Sequence, residues 1–206
     1  ISGNDTTYTD ASAGAAVVLG PGSTLNMSGG TIKDNISNTL GGGVYVKGIQ
    51  SRSSTMNFSG GEISGNRVNS TNDDLGFDGG GGVYVVLYAT LDLSGIARIS
   101  GNYACAVDYK ESATFGGGFG GGVYVAGTFD MRGGEICDNF AGLANYKNKY
   151  GNDDRRGGDG GGVYLYSKSS FSMSGGSIQD NTADDRGGGV FVRGYDHTIT
   201  LSGRSI

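Results

Sequence analysis

The sequence has no tryptophan, a single proline at Pro21 and a single histidine at His197. One proline in 206 residues excludes a collagen-like triple helix, which needs proline-rich triplets with glycine at every third position. With no second histidine and no serine-nucleophile motif, His197 is expected to be an ordinary surface residue. Positive charge is also scarce. The 15 Lys and Arg against 20 Asp and Glu give a net charge of −5 and a pI near 4.7, which disfavours nucleic acid and anionic membranes as partners. No apolar run approaches the roughly 20 residues that cross a bilayer as a helix, so no transmembrane segment is expected. Cys105 and Cys137 are the only cysteines, too few to settle a redox compartment by count.

Glycine, by contrast, supplies 43 residues, about a fifth of the chain where about 7% is usual. The glycines come in runs, with Val, Ile, Leu, Phe and Tyr at fixed places among them, which argues against disorder. The block Gly41-Gly42-Gly43-Val44-Tyr45-Val46 returns at 80–85, 120–125 and 160–165, and at 187–192 with Phe191 in the Tyr place. A degenerate copy occupies 14–19. A second block, Met27 to Asn35, returns at 58–66, 93–102, 131–139 and 173–181, the copy at 93–102 being one residue longer. Such self-similarity marks a repeat architecture.

Each repeat holds three short apolar segments of period two: Val44 and Val46 around Tyr45, Leu25 and Met27 around Asn26, and Ile32 between Thr31 and Lys33. Alternation over so few residues specifies strands with one face inward. One repeat cannot bury enough surface to fold alone, whereas stacked copies share a continuous core. The expectation is an all-β, right-handed parallel β-helix of about six rungs, with three short strands per rung. Residues 1–206 read as a single β-helix domain, a segment of a longer solenoid, because Ile1 and Ile206 fall at the same repeat position. Asn4, Asn35, Asn66, Asn102, Asn139 and Asn181 stand three residues after an inward Ile. They are expected to form an internal asparagine ladder; a row of solvent-exposed turn residues is the competing reading.

Gly-Gly-Gly-Val-Tyr followed by Ile-x-x-Asn resembles the paired Gly-Gly-Ala-aliphatic and Phe-x-x-Asn repeats of chlamydial polymorphic outer-membrane proteins. It also resembles repeats of bacterial and archaeal adhesin-like proteins. Gly43 and its equivalents stand where that family has Ala, and Ile32 and its equivalents where it has Phe. The resemblance covers nearly the whole chain. It implies a right-handed β-helix exposed on a prokaryotic cell surface, often adhesive, and brings no catalytic residues.

Variation concentrates between each ladder Asn and the next glycine block: 9 residues after Asn4, 5 after Asn35, 13 after Asn66, 17 after Asn102, 20 after Asn139 and 5 after Asn181. Insertions in a solenoid gather on one face, often the binding face. These carry Asp73, Asp74, Asp78, Asp108, Glu111, Asp153, Asp154 and Asp159, with the aromatics Phe77, Tyr103, Tyr109, Tyr146 and Tyr150. Such a mixture suits a carbohydrate or protein ligand, or Ca²⁺; plain solvated connections would look the same. The Gly-Gly-Asp-Gly-Gly-Gly run at 157–162 lacks the nine-residue period of calcium-binding repeats. No other cofactor or metal site is indicated.

Three outward rows follow from the alternation. Tyr45, Tyr84, Tyr124, Tyr164 and Phe191 form a candidate platform for a ligand, or else stack on one another beneath the insertions. Asn26, Asn57, Asp92, Asp130, Ser172 and Thr200 place two carboxylates side by side, as paired-carboxylate chemistry requires, but Arg132 stands beside them to neutralise the pair. Thr31, Glu62, Arg98, Glu135 and Ser177 alternate in charge and need no function. Cys105 and Cys137 lie near one corner of adjacent rungs, where a disulfide is expected, two free thiols being the alternative. The chain is therefore expected to be a non-enzymatic, cell-surface or extracellular scaffold displaying loops. An end-to-end filament unit and a polysaccharide-degrading enzyme are the alternatives.

Overall fold

A computed structural model describes residues 1–6, 14, 16–70, 78–106, 118–143 and 158–203. These contain no helix and 21 strands, numbered β1 to β21 along the chain, and every pairing between named strands is parallel. The glycine block supplies the first stack: β2 (Val17–Leu19), β6 (Val44–Val46), β10 (Val83–Val85), β14 (Val123–Val125), β17 (Val163–Leu165) and β20 (Val190–Val192), paired in that order. The second comprises β3 (Thr24–Met27), β7 (Ser54–Phe58), β11 (Ala89–Leu93), β15 (Thr128–Cys137), β18 (Ser170–Gln179) and β21 (Thr198–Leu201). Because β15 and β18 run on for ten residues each, this sheet continues into a third stack with β4 (Thr31–Lys33), β8 (Glu62–Ser64) and β12 (Arg98–Ser100).

A fourth stack corrects the expected three strands per rung. It follows each ladder Asn: β1 (Asp5–Thr6), β5 (Ile36–Ser37), β9 (Arg67–Ser70), β13 (Tyr103–Ala106), β16 (Phe140–Leu143) and β19 (Thr182–Ala183). Its core-side position holds Ser37, Val68, Ala104, Ala141 and Ala183 in register. Apart from Val68, residues that small leave no alternation to read.

Pairing joins equivalent positions of successive repeats: Val44 to Val83, Val83 to Val123, Val123 to Val163. Val44, Met56, Phe58, Ile63, Leu91 and Phe129 are among the fully buried residues of one cluster drawn from the first three stacks. Burying each such side chain contributes about 1.5–3 kcal/mol. The all-parallel stacking with its shared core fits a parallel β-helix.

The asparagines lie inside. Asn35, Asn66 and Asn102 are fully buried and Asn139 nearly so. Each Nδ2 donates to Oδ1 of the next Asn, at 2.8, 2.7, 3.0, 3.0 and 2.9 Å from Asn4 through to Asn181. Each backbone N–H donates to the same oxygen. A residue in the left-handed region turns the chain before every ladder Asn; it is Gly3, Asp34, Gly65, Gly101, Asp138 or Asp180, with φ between 54° and 68°. Glycine, and asparagine or aspartate among the rest, tolerate that conformation. In the glycine triplet the first member has positive φ (59° at Gly41), while the third packs against backbone. A Cβ at Gly43 would stand 2.6 Å from the Gly82 carbonyl oxygen. That explains glycine where the resembling family carries alanine.

Candidate functional site

The tyrosine row is sealed. Tyr84, Tyr124 and Tyr164 are 7%, 1% and 1% exposed and form a second apolar cluster with Phe119, outside the main core. Ring centroids follow one another at 5.6 Å (Tyr45–Tyr84), 4.2 Å (Tyr84–Tyr124), 5.0 Å (Tyr124–Tyr164) and 5.8 Å (Tyr164–Phe191). Phe119, the last residue of the insertion after Asn102, lies 4.9 Å from Tyr164, and Leu40 packs on the same cluster. Burial raises the Tyr84 and Tyr124 hydroxyls well above the ordinary range and pushes Tyr164 up to about 12. As a ligand platform the three middle rings are therefore corrected: they are covered, and only Tyr45 and Phe191 at the ends are half-buried.

Asp159 closes the row at one end. Its side chain is 1% exposed and receives two hydrogen bonds from Arg186, Nε to Oδ1 at 3.0 Å and Nη2 to Oδ2 at 2.9 Å. The Arg186 guanidinium also lies 4.7 Å from the Phe191 ring centroid. Burial raises the Asp159 carboxyl, with Arg186 opposing it. This loop-end acid is thus a structural pair partner. Among the described residues no three His, Cys, Asp or Glu side chains gather as a metal site. Tyr109, Tyr146 and Tyr150 lie outside the described residues, as do Asp73, Asp74, Phe77, Asp108, Glu111, Asp153 and Asp154.

The corner from which the long insertions leave is described. Strands β9, β13 and β16 are consecutive neighbours, so the segments after Asn66, Asn102 and Asn139 depart side by side. They return through Gly79, Phe119 and Asp159, which are themselves bridged in parallel. The outer face of these strands sets Arg67, Tyr103 and Phe140 in register, and beside them Asn69, Cys105 and Gly142. Tyr103 is 43% exposed, and its ring stands 6.2 Å from that of Phe140 at 48°. Gly142 lets the Phe140 ring and the Asp184 carboxylate lie over the strand, since a Cβ there would run into both. Sequence reasoning placed Tyr103 among loop aromatics and missed Phe140, Arg67 and Asp184; only the unrecognised strand would have aligned them.

One member of the acidic pair, Asp92, is held by an ion pair. Asp92 and Asp130 are in register, and Arg132 Nη2 donates to Asp92 Oδ2. In the neighbouring row Arg98 bonds Glu135 at 3.1 Å and approaches Glu62 at 3.8 Å, while Ser100 Oγ donates to Glu62 at 2.8 Å. His197 is not an idle surface residue. Its Nε2 lies 3.1 Å from the Arg193 carbonyl oxygen and Nδ1 lies 3.0 Å from Ser169 Oγ. A carbonyl only accepts, so Nε2 carries a proton toward it, and Nδ1 shares a hydrogen bond with the Ser169 hydroxyl. Ser169 is 1% exposed, so this Ser–His contact is closed to substrate.

The expected disulfide is not formed: Cys105 and Cys137 are both free and buried. The bend at the ladder Asn separates them. Cys137 precedes it in β15 and takes a contact from Arg98 Nη2 at 3.0 Å, whereas Cys105 follows it in β13, opposite Asn69 and Gly142. Burial pushes each thiol up to about 11, with the Arg98 guanidinium pulling Cys137 partly back. Neither is an activated nucleophile at neutral pH.

Comparison with known protein families, curated proteins and solved structures finds no match to this chain. The likeness to the chlamydial repeats therefore rests on the motifs alone.

Proposed function

We propose that this chain is a non-enzymatic, right-handed β-helix scaffold of a cell-surface or extracellular protein, adhesive through the insertions that break its repeat. The observation carrying the reading is the departure of three consecutive long insertions from adjacent strands β9, β13 and β16, beside the exposed Tyr103–Phe140 pair. The regular parts of the fold support it by elimination, since the tyrosine row is covered, Asp92 is paired and the Ser169–His197 contact is closed. A carbohydrate or protein is the ligand class such a corner suits, with aromatic rings beside Arg67 and Asn69.

The test replaces residues 71–77, 107–117 and 144–157 by connectors as short as Asn38–Leu40, and measures adhesion of coated beads to cells and immobilised glycans. Adhesion by the full chain that vanishes in the shortened one, with melting unchanged, supports the reading. Equal adhesion by both chains overturns it.

A further inference from the structure

We propose that the corner where the first stack turns into the second binds an acidic polysaccharide, seating one sugar residue in a notch between Tyr88 and Lys168. Register fixes the turns at this corner. Val85, Val125 and Leu165 pair at the end of the first stack, and Thr90, Thr128 and Ser170 pair in the second. Residues 86–89 join the two rows in one repeat and 166–169 in another, but in the repeat between them Ala126 and Gly127 suffice. A Cβ on Gly127 would run into the carbonyl oxygens of Val86 and Ala89, so the short turn lies flat against its neighbour. It leaves a notch, with Leu87 and Tyr88 on one side and Ser167 and Lys168 on the other. Tyr88 and Lys168 hold equivalent positions two strand spacings apart, about 9.6 Å, roughly the room that one sugar ring needs.

These two side chains do not serve the turn. Gly22, Tyr88, Lys168 and Asp196 each stand two residues before the paired row, all in the left-handed region, with φ of 82°, 65°, 65° and 59°. Glycine takes that conformation freely and aspartate tolerates it, whereas tyrosine and lysine are strained by it. Nor does burial compensate. Tyr88 is 45% exposed, Leu87 beside it is 41% exposed, and Lys168 also faces solvent.

Charge identifies the occupant. The turns of this corner carry Lys47, Arg52, Lys168 and Arg193 against the single carboxylate of Asp196, in a chain whose net charge is −5. Lys47, Arg52 and Lys168 form no ion pair among the described residues. Lys168 Nζ lies 5.9 Å from the ring centroid of Tyr195, itself 63% exposed. A sugar ring resting on Tyr88 would bring its carboxylate or sulfate to the Lys168 ammonium. Gly48 packs against the Tyr88 backbone, so Lys47 and Arg52 extend the positive charge along the same corner. A lipid surface would call for a continuous apolar edge, which the notch interrupts.

The experiment passes the full chain over immobilised polygalacturonate, dextran sulfate and plain dextran, and pellets it with vesicles containing phosphatidylserine. Saturable binding to the carboxylated or the sulfated polymer is expected, with none to dextran or to vesicles. Tyr88→Gly and Lys168→Asp should each weaken it about tenfold or more. Both put at the turn a residue that other repeats already carry there, so the melting temperature should hold or rise. Binding should persist when the three insertions are shortened, which separates this surface from the adhesive corner. No binding to either acidic polymer, equal binding to dextran, preference for the vesicles, or binding indifferent to the two substitutions overturns the proposal.

Discussion

Asn102 gives both its backbone N–H and its Nδ2 to the single oxygen Oδ1 of Asn139, each at 3.0 Å, in a fully buried setting. The same Nδ2 reaches the Ile63 carbonyl oxygen at 2.9 Å. One side chain therefore ties three successive repeats at the bend where the third stack turns into the fourth.

Asn102→Ala is expected to be among the most destabilising single changes outside the apolar core. It strands the Asn66 N–H, one of the two Asn66 Nδ2 hydrogens and the Ile63 carbonyl at once, while Asn139 Oδ1 keeps the backbone N–H of residue 102, and each buried orphan costs about 1–3 kcal/mol. Urea unfolding should show a loss of at least about 3 kcal/mol, against under about 1 kcal/mol for Asn4→Ala at the exposed end of the ladder. Equal losses at the two sites would contradict the ladder.

Glycine substitutions should separate by position. Gly43→Ala pushes a methyl to 2.6 Å from Gly82 O and 3.1 Å from Asn66 Nδ2, so it is expected to destabilise by about 2 kcal/mol. Gly29→Ala meets nothing within 4 Å and has no positive φ, so it is expected to be neutral or to stabilise by about 0.5 kcal/mol. Thermal melting of the two variants checks the contrast.

Alkali should unfold the protein through its sealed tyrosines. The folded-state hydroxyls of Tyr84, Tyr124 and Tyr164 are raised by burial above their ordinary value, so the unfolded chain loses its protons first. Their contribution to stability is complete below about pH 10 and falls as pH rises beyond it. Absorbance titration should show a late tyrosinate step coinciding with loss of circular dichroism. A reversible late step with the fold intact would show that the row is open to solvent.

Thiol counting decides the cysteine pairing. Two free thiols should react in denaturant without reductant, and both should react slowly in the native protein because burial keeps them protonated near neutral pH. No reactive thiol in denaturant would restore the disulfide.

What the sequence discloses here depends on side-chain size. Val44, Leu91 and Ile63 alternate with polar neighbours, so three stacks and the ladder could be read directly. The fourth stack could not, because Ala104 and Ala141 bury too little to register as a strand's inner face. That omission also hid the Tyr103–Phe140 pair, and it brought Cys105 and Cys137 to an apparent common corner. The covering of the tyrosines depends on Phe119, which sits at the end of an insertion with no periodic signal. Likewise, the Ser169–His197 contact joins residues 28 apart, one repeat removed.

Stacking of equivalent positions underlies every other conclusion, and spin-label distances test it most directly. Asn26, Asp130, Ser172 and Thr200 occupy one outward row, with Asp130, Ser172 and Thr200 three, four and five repeats beyond Asn26. With both native cysteines replaced by alanine, labels at Asn26 and each of the other three should give distances of about 14, 19 and 24 Å, one strand spacing per added repeat. A series that does not lengthen by one such step per repeat would contradict the stacked fold and the placement of every surface built on it.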